Sequence, residues 1–132
     1  MSDAEFVASF SEKHVINGDL LHGEGATQNI FNPATGEVIA EVAETSLAQV
    51  ALAVNAANAA FSRWSRTTPA ERASVLLRIA DAIEKQAHSL AQLEAINCGK
   101  PLHQALKDDL PAAIDVFRFF AGAVRCQQGQ LS

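Results

Sequence analysis

A chain reversal is written into residues 32–36. Pro33 fixes one backbone dihedral of the stretch Asn32-Pro33-Ala34-Thr35-Gly36, and Gly36 can take the left-handed conformation that few other residues tolerate. Asn29-Ile30-Phe31 before it and Glu37 to Val42 after it are therefore expected to run as a pair of strands. A second reversal lies upstream. In His14-Val15-Ile16-Asn17-Gly18-Asp19-Leu20-Leu21 the Asn-Gly pair suits the type I′ turn that joins two short strands. Gly23 and Gly25 mark a loop after it. Residues 1–13 are mostly polar, with isolated Phe6 and Phe10, and are expected to form a flexible or short helical lead-in.

Beyond residue 45 the chain reads as helix. Ser46 and Gln49 form a capping box ahead of an apolar stripe of Val50, Ala53, Val54, Ala57, Ala60, Phe61 and Trp64. Thr68-Pro69-Ala70-Glu71 is a second start signal, with Leu76, Ile79, Ala80, Ile83 and Ala87 on the buried face that follows. The pattern loosens at Gln86 to Ser89, where a break is expected. A third helix covers Leu90 to Cys98, stopped by Gly99 and barred from continuing by Pro101. A last helix is expected to start near Asp109, with Pro111 in its first turn and Ile114, Phe117, Ala121 and Val124 on one face. Strands come first and helices second, with no βαβ alternation. The segment is thus α+β, and its helices carry more apolar surface than four short strands can cover. They are expected to pack on a sheet supplied from outside these residues.

Composition excludes several classes of function. A chain of 132 residues is about one domain. Its net charge of −5 argues against nucleic acid or an anionic membrane as partner. No apolar run approaches the ~20 residues of a membrane span. The acidic N-terminus lacks the basic region and apolar block of a signal peptide. Cys98 and Cys126 do not make a disulfide framework, so a cytoplasmic setting is expected.

Three segments together resemble the aldehyde dehydrogenase superfamily. They are Asn32-Pro33-Ala34-Thr35-Gly36-Glu37-Val38-Ile39, then Leu93-Glu94-Ala95-Ile96-Asn97-Cys98-Gly99-Lys100-Pro101-Leu102, then Asp115-Val116-Phe117-Arg118-Phe119-Phe120-Ala121-Gly122. The likeness runs from about residue 14 to the end, and the wording at 97–102 is similar to the 4-aminobutyraldehyde dehydrogenase branch. The resemblance implies an overall α/β fold in which residues 14–132 are the N-terminal, incomplete part of a cofactor-binding domain. It implies NAD or NADP as cofactor and an aldehyde oxidised to its acid. The partner would be the remainder of a longer, homo-oligomeric chain. The family's cysteine nucleophile, catalytic glutamate and dinucleotide glycines match nothing here. A free-standing, non-catalytic helical interaction module is the other reading.

Few residues are candidates for chemistry. Cys98 falls at a helix C-terminus, where the macrodipole disfavours a thiolate, and is expected to be a small packed thiol. His14, His22, His88 and His103 lack ligand-like spacing and are expected to be solvated. Gly99-Lys100 lacks the upstream glycine of a phosphate loop, Glu94 standing in its place. The resemblance implies two further sites. A monovalent cation, K⁺ or Na⁺, would lie between the backbone of Ile30 and Phe31 and the side chain of Asn97. The family often has aspartate at that last position, and asparagine would supply an oxygen without charge; otherwise Asn97 helps satisfy the helix end. Asp109 would border the substrate entrance and attract an aminoaldehyde's ammonium, or cap the helix, or do both. The second acidic position of some relatives is Ala112 here.

Overall fold

A computed structural model describes residues 2–10 and 13–126. The chain divides into two compact units. The first comprises Met1–Ser65 with Ile96–Gly99, and the second Arg66–Ala95 with Lys100–Ser132.

The first unit opens with a short helix, α1 (Asp3–Val7), held by a reciprocal capping box between Ser2 and Glu5. It turns Phe6 and Val7 inward, so the helical form of the expected lead-in is the one found at these residues. Strands β1 (His14–Ile16) and β2 (Asp19–Leu21) pair antiparallel through Asn17 and Gly18. Both turn residues have positive φ, 54° and 90°, as a type I′ turn requires. Strands β3 (Thr27–Phe31) and β4 (Val38–Ala43) form the second antiparallel pair, with a register shift between Ile30 and Phe31.

The turn between β3 and β4 is fastened by Asn32, a polar residue only 5% exposed. Its carbonyl accepts from the Gly36 N–H at 2.7 Å, and its own N–H donates to the Glu37 carbonyl at 2.9 Å. Its side-chain oxygen accepts from the Ala34 N–H at 2.9 Å, and its amide nitrogen donates to Asp3 Oδ2, also at 2.9 Å. The helix α2 (Leu47–Trp64) starts on the expected capping box. Gln49 does more there than close the box. Its side-chain oxygen accepts from the N–H groups of Ser46 and Glu24, and its nitrogen donates to the His22 carbonyl at 2.7 Å. The loop at 22–25 is thereby tied to the helix start. Glycine is required within it, since a Cβ on Gly23 would lie 2.1 Å from the Ala43 carbonyl oxygen.

The second unit is helical. The helix α3 (Pro69–Lys85) begins on the Thr68/Glu71 capping box with proline in its first turn. Thr68, through its backbone N–H and then its hydroxyl, holds the Glu71 carboxyl below the usual range. The expected break falls at Gln86, and α4 (Ala87–Cys98) follows, its last three residues belonging to the first unit. Gly99 ends it with φ +70°.

The last helix corrects the sequence expectation. Helical structure resumes at Leu102, not near Asp109, and continues without a gap to Cys126. It consists of α5 (Leu102–Gln104), a wide π turn (Ala105–Asp109) and α6 (Leu110–Cys126). Pro111 therefore lies inside a helical run. In an ordinary α coil its ring would meet the carbonyl of Lys107, four residues earlier. The wider i→i+5 turn just ahead, closed by the Leu110 N–H on the Ala105 carbonyl, opens the coil where that clash would fall. The expected face of α6 packs on α3, with Ile114 and Ala121 buried.

Buried positions combine alanines with larger apolar residues, among them Phe6, Ile16, Ile39, Ile96 and Ile114. Ala73, Ala80, Ala91, Ala105 and Ala121 are enclosed, and no large side chain among the described residues is fully buried. Of the apolar faces expected to lack cover, Phe61, Trp64, Ile79 and Phe120 are exposed, while Ile83 and Phe117 are half-buried.

Replacing Asn32 with alanine should remove the bonds to the Ala34 N–H and the Asp3 carboxylate, both on exposed residues that water can reach. A net cost of about 1 kcal/mol per hydrogen bond is expected, read as a lower urea midpoint and faster hydrogen exchange at the Ala34 amide. An unchanged Ala34 exchange rate would mean that the turn holds without the side chain.

Candidate functional site

Two of the sequence signatures meet in the first unit. Gly99 lies against the Asn-Pro turn so closely that a Cβ on it would stand 3.0 Å from Pro33 Cγ. The positive φ and the tight approach both call for glycine at 99. This contact sets Asn97 two residues from one side of the junction and Phe31 two residues from the other. Ile30 and Phe31 lie on β3 at its register shift, where the regular ladder is interrupted. Asn97 is exposed near the end of α4, and its amide nitrogen faces Cys98 Sγ at 3.7 Å. Among the described residues there is no group of three or more His, Cys, Asp or Glu that could hold a metal ion. Any cation at the junction would thus rely on carbonyl and amide oxygens.

Cys98 is exposed rather than packed, which corrects the expectation of a buried thiol. It occupies the last helical position, where the following glycine carries the chain away. Cys126 is exposed as well. His22, His88 and His103 are exposed as expected, but His14 is half-buried, with Nε2 3.1 Å from the Ala43 carbonyl oxygen.

In the second unit, Asp109 closes the π turn and is half-buried. It stands within a helical run, so the reading of Asp109 as the cap of a new helix does not hold. Its carboxylate forms an ion pair with the Lys100 ammonium. That bond, with weaker contributions from Glu94 and Asp108, holds Lys100 above its usual range against the opposing effect of burial. The Lys100 partner was not foreseen: nine residues, with a proline and a helix turn between, separate the two. An open groove of about 470 Å³ lies close by, lined by Leu106, Leu110, Pro111 and Ile114 with Glu84, Asp115 and Arg118 among its charged groups. Arg118 is engaged there by Glu84 at 2.6 Å and Asp81 at 3.3 Å. No helix among the described residues is long and apolar enough to cross a membrane.

Comparison with known proteins supplies the context that these side chains alone do not. The pattern of the Aldehyde dehydrogenase family matches residues 21–132. Fluoroacetaldehyde dehydrogenase of Streptantibioticus cattleyicolor is 51% identical over 100 residues, which span 76% of this chain and 20% of that protein. An aldehyde dehydrogenase of Bacillus cereus, solved as its NAD⁺ complex, superposes with a TM-score of 0.88 at 38% identity, over 98% of this chain and 27% of that one. Betaine aldehyde dehydrogenase of Staphylococcus aureus gives 0.88 at 30% identity, over 96% and 26%. The chain therefore spans about a fifth of the length of the curated relatives it matches.

Proposed function

The chain belongs to the aldehyde dehydrogenase family, and from that membership we propose that it is the N-terminal segment of an NAD-dependent enzyme that oxidises an aldehyde to its acid. One observation carries the reading: the family pattern over residues 21–132 coincides with a fold matched at a TM-score of 0.88 to about a quarter of a solved, NAD-bound relative. Within such an enzyme a cysteine thiolate would attack the aldehyde, hydride would pass to the cofactor, and a glutamate would assist hydrolysis of the thioester. Those groups would come from later residues. Residues 14–132 would form the incomplete edge of the cofactor domain, its helices covering a sheet supplied by the remaining chain. NADP in place of NAD, a homo-oligomer and a cytoplasmic setting belong to the same proposal. The 132 residues alone should neither oxidise aldehydes nor bind NAD tightly. Calorimetric titration with NAD checks this, and a micromolar dissociation constant would overturn it; the longer protein should reduce NAD when given aldehyde.

The competing reading is a non-catalytic interaction module. It draws on the exposed apolar faces, since large uncovered patches mark interaction surfaces.

For the monovalent cation, K⁺ or Na⁺, we propose a seat at the junction of the two signatures, made by the backbone of Ile30 and Phe31 and the amide of Asn97. The register shift at 30/31 and the Gly99–Pro33 contact support it. Asparagine brings no charge, so binding should be weak and Asn97→Asp should strengthen it. Thermal unfolding in potassium chloride against choline chloride tests this; an equal midpoint in both salts for the Asp variant would exclude the site.

The substrate is proposed to be an aminoaldehyde such as 4-aminobutyraldehyde, with Asp109 at the entrance. A relative named for betaine aldehyde supports a cationic substrate, and one named for fluoroacetaldehyde supports an uncharged one. Lys100 already engages Asp109, so an incoming ammonium gains only what remains after exchange. In the full-length enzyme, Asp109→Asn should raise KM for an aminoaldehyde about 2–5-fold, the range of an exposed ion pair worth about 0.5–1 kcal/mol. The effect should fade with salt and be smaller for an uncharged aldehyde of equal length. Equal effects on both substrates would remove Asp109 from the entrance.

A further inference from the structure

The Asp109 carboxylate already has an occupant. The Lys100 ammonium donates to its Oδ2, and among the described residues this is the one bond that either side chain makes. Backbone on both sides holds Lys100 in place. Gly99 before it has φ +70°, and Pro101 after it has φ −59°, so a left-handed stop and a closed ring bracket the lysine. At the other end, the π turn closes on the Ala105 carbonyl and carries Asp109 at its last position. The two side chains are 35% and 38% exposed, so water and a small solute reach the pair. Glu94 and Asp108 add weaker attraction for the ammonium. Asp109 is thus filled by a primary alkylammonium on a four-carbon stem, tethered to the chain itself.

We propose that Lys100 is a built-in competitor for the cationic end of a substrate and, through Asp109, limits how far the enzyme prefers an aminoaldehyde to an uncharged aldehyde. The proposal rests on the reading of Asp109 as an entrance residue given above. A closed ion pair presents a dipole, not a full charge, to an approaching cation. An arriving primary ammonium must displace Lys100, and it gains only the difference between two bonds of the same kind. An uncharged aldehyde has no such exchange to make. The pair therefore holds the two substrate classes near parity, and opening it separates them. The class concerned is the primary ammonium. A trimethylammonium group has no N–H, so it cannot replace the bond that Lys100 donates.

The test is substrate kinetics of the full-length enzyme carrying Lys100→Met and Asp109→Asn, singly and together. Lys100→Met should lower KM for 4-aminobutyraldehyde about 2–5-fold, the range of a partly exposed ion pair. The gain should be smaller for betaine aldehyde and absent for an uncharged aldehyde of equal length. It should fade with salt and be largely lost in the double variant, since Asp109 carries it. Lys100→Arg keeps the charge and should show no gain. Lys85→Met removes the same charge from the exposed end of α3 and should show none either. Lys100→Gln replaces the methionine variant if that one lowers the thermal midpoint. A rise in KM for both aldehydes after loss of the Lys100 charge would make the pair a structural clasp and overturn the proposal. A gain undiminished beside Asp109→Asn would overturn it as well. If Asp109→Asn alone is selective for the aminoaldehyde and Lys100→Met is not, the entrance reading stands and the competitor falls. If Asp109→Asn affects both aldehydes equally, the entrance reading fails and the proposal fails with it.

Discussion

The buried amide of Asn32 is the interaction on which the first unit depends. A polar side chain removed from water costs free energy unless each donor and acceptor is met. Here the oxygen closes the turn on the Ala34 N–H and the nitrogen reaches back to Asp3 on α1. One residue thereby sets the β3–β4 reversal, anchors the first helix and presents Pro33 to Gly99. Gln49 plays the same part for the loop at 22–25. These two polar hubs act beside the buried apolar side chains of Phe6, Val7, Ile16, Ile39 and Ile96 in the same unit. Such hubs fix geometry more sharply than they stabilise it, because a net hydrogen bond is worth only about 1 kcal/mol.

Local chemistry is what the sequence conveyed best. The Asn17-Gly18 turn, both capping boxes, the break at Gln86 and the Gly99 stop are settled within a few residues of themselves, and all stand where they were expected. Pro111 misled because proline at a helix start and proline after a wide turn look alike in one dimension; only the coil geometry separates them. Gln49 read as half of a capping box, and its ties to Glu24 and His22 depend on a fold that brings residues more than twenty apart together. The candidate site was legible to a similar extent. Asp109 was singled out, but its Lys100 partner required knowing that the helix begins at Leu102. The nearness of the two signature segments, through Gly99 and Pro33, was likewise invisible without coordinates.

Exposure gives the family assignment its physical sense. Alanine is the common buried residue, while phenylalanine and tryptophan stand largely outside. In a complete globular domain the order is usually reversed, since large apolar side chains gain most from burial. Close helix contacts made through alanine, together with bulky faces turned outward, suit a piece designed to be covered. The aldehyde dehydrogenase family supplies a reason for that pattern, because its members carry this fold as a minor share of a long chain.

The wide turn at Ala105–Asp109 also sets the angular phase of the last helix. Ala105 and Ile114 are both buried, yet nine residues of regular α-helix would turn them about 180° apart. The π turn absorbs one residue as a local loop, which narrows that angle to about 80°. A chain one residue shorter between them could run as plain α-helix and keep Ile114 in the same phase. An extra residue added elsewhere in α6 would instead rotate everything beyond it by about 100°. The turn thus acts as a length buffer: it is the place in this helix where a gain or loss of one residue is absorbed before it reaches the packed face.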